Sequence, residues 1–250
     1  MSLAVRDYRV PDSPLAEWDA RWKLAAILIA AGGIAALDHL LPTAAALALG
    51  SMMLAAARPR FGWVRARLAV FALAALPFLI ILPFTLDGPG WNIGAISVSQ
   101  HGVASGLAVF ARCLAIGCLA LVLVGTAPLH RTIAAAHHLR VPGVLVLSTL
   151  LAHRYAFLLL AELRRLRTSL WARGFRTRAT RHGYRTLGHA IGIVLVRGSD
   201  RAERVADAMR CRGFDGRFHT LAAFHTKTKD VILFLLVASA AAGLVAWDRF

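Results

Sequence analysis

Lysine is almost missing from the interior of this chain: none occurs between Lys23 and Lys227. A G-x-x-x-x-G-K-[ST] loop is therefore absent, which excludes a P-loop nucleotide site in this polypeptide. Acids are scarce as well, 13 Asp and Glu against 29 Lys and Arg in 250 residues. Near the apolar runs they occur singly, as Asp38 and Asp87, so no carboxylate cluster exists to hold magnesium as in a membrane prenyl transferase. The three cysteines, Cys113, Cys118 and Cys211, form neither a C-x-x-C pair nor a disulfide framework and read as free thiols. No cleavable signal is expected from the residues at the start. The first apolar run starts only at Trp22, after a mixed-charge leader, and lacks a small-residue cleavage site.

What the chain does have is apolar length. It is 58% hydrophobic, with a mean hydropathy of +0.61, above the 45–50% or so of an ordinary soluble domain. The excess lies in nearly charge-free blocks: Trp22–Leu41, Thr43–Ala57, Leu68–Leu86, Ala104–Thr126 and Val231–Trp247. A bilayer is crossed by roughly 20 such residues in a helix, and Thr43–Ala57 is short for that. The runs are continuous rather than alternating, which favours helices over barrel strands. The fold expected is an all-α membrane protein with about five to six transmembrane helices and two long amphipathic cytoplasmic helices.

The net charge of +16 follows the same logic, because Lys and Arg collect in cytoplasmic loops. Arg58, Arg60, Arg65 and Arg67 mark one inner loop, whereas the Gly- and Pro-rich stretch Asp87–Gly102 has no Lys or Arg and suits an outer loop. Asp38, His39 and Pro42 make a tight outer turn, and Pro77 and Pro83 should kink or end the third run. The resulting organisation has a cytoplasmic N-terminal segment at 1–21 and transmembrane helices 1–4 at 22–126. A coupling region follows at 127–228, then a last transmembrane helix at 229–250. The N-terminus is inside, on the cytoplasmic face of a multi-pass protein.

The middle region is unusual. Nineteen of the 29 basic side chains fall between Ala127 and Lys229, with only five acids. Pro142-Gly143 opens one helix, apolar at first and amphipathic after His153-Arg154, running to Ala172. Gly183–Thr186 breaks the chain, and a second helix from Leu187 ends at Cys211. On a 3.6-residue period, Tyr155, Leu159, Leu163, Leu166 and Leu170 form one apolar stripe, and Arg173 is its next position. In the second helix Ala202, Val205 and Met209 form a stripe that Arg212 continues. Asp200 and Arg204 are spaced to pair at i,i+4.

Each helix thus ends alike, Ala172-Arg173-Gly174-Phe175 and Cys211-Arg212-Gly213-Phe214, with the two arginines 39 residues apart. One Arg-Gly ending is an ordinary cap: glycine enters the left-handed region freely, and a cation suits the end of the helix dipole. Two copies, each closing an aligned apolar seam, ask for more. Glycine stops the helix and arginine protrudes from its end, offering a planar fork of donors that matches a carboxylate in a partner groove.

These residues carry a resemblance. Trp18, Asp19, Arg21, Trp22 and Lys23 precede the first span. His153-Arg154-Tyr155 leads through Glu162 to Ala172-Arg173-Gly174, and Arg197 through Asp200 to Arg212-Gly213. The chain resembles the transmembrane T-component of energy-coupling factor (ECF) transporters, most closely the CbiQ/NikQ branch for cobalt or nickel. The resemblance implies a bacterial cell membrane, two ABC-type ATPase partners and a separate substrate-binding membrane component (the S-component). It makes Arg173 and Arg212, with Ala172, Gly174, Cys211 and Gly213, the ATPase-coupling residues. Leu163, Leu166, Leu170, Ala202, Val205 and Met209 would be the packing face of the coupling helices. Cys211 departs from the family's usual alanine. The implied function is energy coupling, without catalysis, cofactor or resident metal.

Other readings were weighed. Ten histidines invite a metal site, yet no two stand at i,i+4, and His137-His138 point to different helix faces. His182 and His189, and His219 and His225, read as loop residues, which leaves Asp38-His39 as the best exception. Ser148, Thr149 and His153 lack a third catalytic member. Tyr155, Trp171, Phe175 and Tyr184 do not form a stacking platform, which argues against nucleic acid. The rival function is a membrane-embedded enzyme that binds anionic, lipid-like substrates on the basic block.

Overall fold

The computed structural model describes residue 13 and residues 15–86, 90–93, 96–139, 141–175, 180–216 and 226–250. Among them are eight helices, α1 Ala20–Ala35, α2 Leu40–Ala56, α3 Phe61–Thr85, α4 Gln100–Thr126, α5 Leu129–His138, α6 Gly143–Ala172, α7 Arg181–Cys211 and α8 Thr228–Arg249. A two-stranded antiparallel ribbon, β1 Gly90–Ile93 and β2 Ile96–Ser99, joins α3 to α4 with Gly90 opposite Ser99. The described residues are all-α apart from this ribbon, which lies in the stretch expected to be an outer loop. The chain divides into two units, Met1–Leu139 with Ala222–Phe250, and Arg140–Leu221.

In the first unit α4 is the central element, packed against α1, α2 and α3, while α8 packs against α1 and α2. The core cluster takes Ala26, Ile27, Ala30 and Ile34 from α1. Ala115, Cys118, Leu119 and Val122 come from α4, and Val237 and Ala241 from α8. Alanines recur among the larger aliphatic side chains because, in lipid, helices associate through close backbone approach rather than hydrophobic expulsion. Gly102 shows how close: a Cβ built there would stand 2.6 Å from the Leu82 carbonyl oxygen and 2.8 Å from Pro83 Cα. The outward side of α3 leaves Val70, Leu73, Phe78, Ile80, Ile81 and Phe84 exposed, an apolar surface that suits lipid rather than water.

Among the described residues four helices are long and apolar enough to cross a membrane, α3, α4, α6 and α8. At 16 and 17 residues, α1 and α2 are at or below the lower limit for a span. The run Trp22–Leu41 is split at Ala36–His39, and the turn does not include Pro42. That residue stands third in α2, within the first turn, where a missing N–H costs no intrahelical bond. The backbone N–H groups of Asp38 and His39 instead meet the Asp248 carboxylate at 2.8 and 2.9 Å. Pro77 and Pro83 do not end α3, which continues to Thr85. Proline is tolerated inside transmembrane helices where neighbouring elements re-satisfy the backbone.

At the other end of α1 the Trp18–Lys23 segment is built into the fold. Asp19 caps α1 by accepting the Arg21 N–H at 3.0 Å. The Trp22 and Phe234 rings meet edge to face at 5.2 Å, and Lys23 is wholly enclosed.

Candidate functional site: two arginine-ended helices

The second unit consists of α6 and α7. α7 starts six residues earlier than its apolar pattern suggests. The Thr180 hydroxyl accepts the Gly183 N–H at 3.2 Å and caps the helix, so Gly183–Thr186 lies inside the first turns. His182 and His189 are accordingly helical rather than in loops, while His219 and His225 lie outside the described residues.

Both helices end in one stereochemical motif. In α6, Arg173 is the C-cap, Gly174 follows with φ +76°, and the chain closes with two bonds. The Phe175 N–H donates to the Leu170 carbonyl at 3.0 Å, and the Gly174 N–H to that of Trp171 at 2.9 Å. In α7, Arg212 is the C-cap, Gly213 has φ +80°, Phe214 N–H donates to Met209 at 3.0 Å and Gly213 N–H to Arg210 at 3.0 Å. These are the six-to-one and five-to-two bonds of a Schellman cap, with Gly in the left-handed position where a Cβ is penalised. The cap residues nearly superpose in dihedral space, φ −87° and ψ 12° for Arg173, φ −93° and ψ 13° for Arg212.

The side chains at the two ends are exposed. Ala172, Arg173, Gly174, Cys211, Arg212 and Gly213 all face open space. Neither the Arg173 nor the Arg212 side chain makes a hydrogen bond or ion pair among the described residues, whereas the Arg210 side chain pairs with Asp207 at 3.0 Å. The pair expected between Asp200 and Arg204 does not close. Arg167 spends its charge on the Trp171 ring, 4.9 Å from the centroid. Near the caps Arg167 and Arg210 have partners within their own helices, and the side chains of Arg173 and Arg212 have none among the described residues. Cys211 is a free, exposed thiol.

The packing face divides in two. Tyr155 and Leu159 of α6 join Ala202, Val205 and Met209 of α7 around an apolar cleft of about 260 Å³. Leu151, Ala152, Gly198, Arg201 and Ala206 also line it. Leu163, Leu166 and Leu170 do not reach this cleft; Leu163 is exposed and the other two half-buried. The single seam read along α6 is therefore an inner half that meets α7 and an outer half left open toward the cap. Glu162 forms the bridge between the helices by accepting from the Arg197 guanidinium. Periodicity finds stripes but not pairings between helices, so this ion pair and the lower cleft wall had no separable signal.

No group of three His, Cys, Asp or Glu side chains comes together among the described residues. The Thr149 hydroxyl donates to the Leu145 carbonyl at 2.7 Å within its own helix. Asp38 lies 3.8 Å from Arg112, and its neighbour His39 is engaged through its backbone by Asp248.

Against known proteins, the family model of CbiQ, cobalt transport protein, matches residues 12–220, most of the chain including both arginine caps. The chain belongs to the CbiQ family of cobalt transport proteins. Two proteins of Methanocaldococcus jannaschii described as uncharacterized, MJ1571 and MJ1089, are each 27% identical to it, over 154 and 142 residues. The matches cover 62% and 57% of this chain and 53% of each relative. This CbiQ-family chain thus spans about half the length of the curated relatives it matches. CbiQ is a family of transport components rather than of enzymes, and the apolar helices make this member a multi-pass membrane protein.

Proposed function

We propose that this CbiQ-family protein is the energy-coupling transmembrane subunit of an ECF-type ABC importer, with cobalt as its cargo. The observation that carries the reading is the pair of matched caps. Two helices of one unit end in the same left-handed glycine and each presents an arginine that nothing in the described chain engages. A guanidinium held at the end of a rod is suited to bidentate docking on a carboxylate of another protein. Two such rods suit two copies of that protein, and the family resemblance makes them ABC-type ATPases.

On this reading Arg173 and Arg212 are the docking residues. Ala172 and Cys211 are small neighbours that let a groove close around the guanidinium. Gly174 and Gly213 turn the chain away. When ATP draws the two ATPases together, α6 and α7 move as rods because their ends are held. The motion is delivered to an S-component that carries the substrate, resting on the apolar surface of the coupling helices and the membrane unit. Residues 127–228 are then the coupling region, the N-terminus is cytoplasmic, and the protein lies in the cell membrane.

The test is copurification of ATPases and metal uptake. Breaking one buried arginine–carboxylate contact costs on the order of 3–5 kcal/mol, so Arg173→Ala with Arg212→Ala should release both ATPases and abolish uptake. Arg→Lys at either position should restore only part, since the planar fork is lost. Retention of ATPases and uptake by the double alanine variant would refute the docking roles.

A further inference from the structure

The first unit holds a buried polar node that the coupling reading does not use. Asp230, in the first turn of α8, is buried and each of its oxygens is engaged. One carboxylate oxygen receives the Asp19 N–H at 3.2 Å, the other the Lys227 N–H at 2.8 Å, and its backbone carbonyl receives the Trp18 indole N–H at 3.2 Å. Lys23 is completely buried and donates to the Thr126 hydroxyl at 3.1 Å. Thr126 is the last residue of α4 and in turn donates to the Val122 carbonyl at 2.7 Å. On the rim, Arg21 reaches both Asp19 at 3.0 Å and the Thr226 hydroxyl at 3.1 Å, and the Trp22 indole reaches Thr226 at 3.4 Å.

The position of this node in the chain gives it meaning. The second unit is inserted between Leu139 and Ala222, so the polypeptide joins the two units at only two places. One connection leaves α4 at Thr126 and passes through α5, which also packs on α1. The other returns into Thr226, Lys227 and Asp230 at the head of α8. A single six-residue segment, Trp18–Lys23, grips both. A polar cluster of this kind is expensive to bury unless every member is satisfied. A purely packing role would be filled more simply by apolar side chains.

We infer that Trp18–Lys23, with Asp230 and Thr126, is a clamp that holds the two chain connections of the second unit at a fixed spacing. It makes the head of α1 a set of positioning residues for force transmission. With the spacing held, a displacement of α6 and α7 arrives at α4 and α8 together. With it loose, each connection yields separately and the stroke is dissipated. The mechanical consequence rests on the coupling reading; the fixed spacing does not.

The experiment therefore has two arms. Asp230→Asn replaces one acceptor by a donor facing a backbone N–H, and Lys23→Met removes the buried cation at similar length. Spin labels at Leu139 and Lys229, both exposed, in a cysteine-free chain report the spacing by pulsed electron resonance. A narrow distance distribution in the parent should broaden in both variants. In the complete complex, uptake per ATP hydrolysed should fall by about tenfold or more, the shift expected from losing one hydrogen bond made by a charged group, while the ATPases remain bound. Thr226→Val removes only the rim donations and keeps the test decisive if the buried variants do not fold; it should broaden the distribution to a smaller extent. An unchanged distribution in the folded variants overturns the clamp. A broadened distribution with undiminished uptake per ATP overturns its role in transmission. A parent chain that never recruits ATPases refutes the coupling reading, and the distance arm still judges the clamp.

Discussion

The two glycine caps allow a prediction with its confounders removed by geometry. Gly174 and Gly213 stand at φ +76° and +80°, and a Cβ built on either would meet nothing within 4 Å. Replacement by alanine is therefore sterically free of its neighbours and penalised only by its own backbone. That penalty is about 1–2 kcal/mol for an L-residue in the left-handed region. It corresponds to a population shift of roughly 5- to 30-fold. Two consequences follow from the same number. Exchange of the Phe175 and Phe214 amide protons, each held at 3.0 Å in the six-to-one bond, should speed up by that factor in Gly174→Ala and Gly213→Ala respectively. Affinity for the ATPases should fall by the same factor, since only the capped conformer presents the arginine. Asparagine tolerates the left-handed region better and should lose less at both readouts. Gly198→Ala, inside α7 with no neighbour near the new methyl, is the control; it should be neutral or stabilising, by up to about 1 kcal/mol. Hydrogen exchange with mass analysis and a binding titration on the same variants measure both. Alanine caps with unchanged amide protection, or a loss equal to that of asparagine, would refute the reasoning.

Two further outcomes concern the scaffold. Gly102→Ala forces a methyl against the Leu82 carbonyl oxygen and Pro83 Cα and should lower stability by about 1–3 kcal/mol. A clear drop in Tm in detergent is expected, beside no drop for Gly32→Ala, which has open space around it. Glu162→Gln breaks the bridge between α6 and α7, but Arg197 is more than half exposed. Exposed pairs of this kind contribute little to stability, so Tm should barely move, and a collapse on this change would show that the pair carries the unit.

The legible part of the candidate site was its ends. Arg173, Gly174, Arg212 and Gly213 were found because a cap is a local event, written in consecutive residues and repeated. The Thr180 cap was missed for the opposite reason. Gly183 three positions later reads as a break, and only the hydroxyl-to-amide bond makes that stretch the start of α7. Pro42 reads as part of a turn and Pro77 and Pro83 as breakers, yet the first falls where α2 asks for no donor and the other two are absorbed in α3.

The sequence by itself determined that this is a multi-pass helical membrane protein with two arginine-ended helices, because continuous apolar runs, arginine distribution and capping chemistry act within a few residues of chain. Only the tertiary structure decided which half of the α6 seam meets α7 and that Glu162 answers Arg197. It also showed that Trp18–Lys23 grips both Thr126 and Asp230. Those contacts join residues 35 to 212 positions apart, and no periodicity in one helix specifies which side chain of another will meet it.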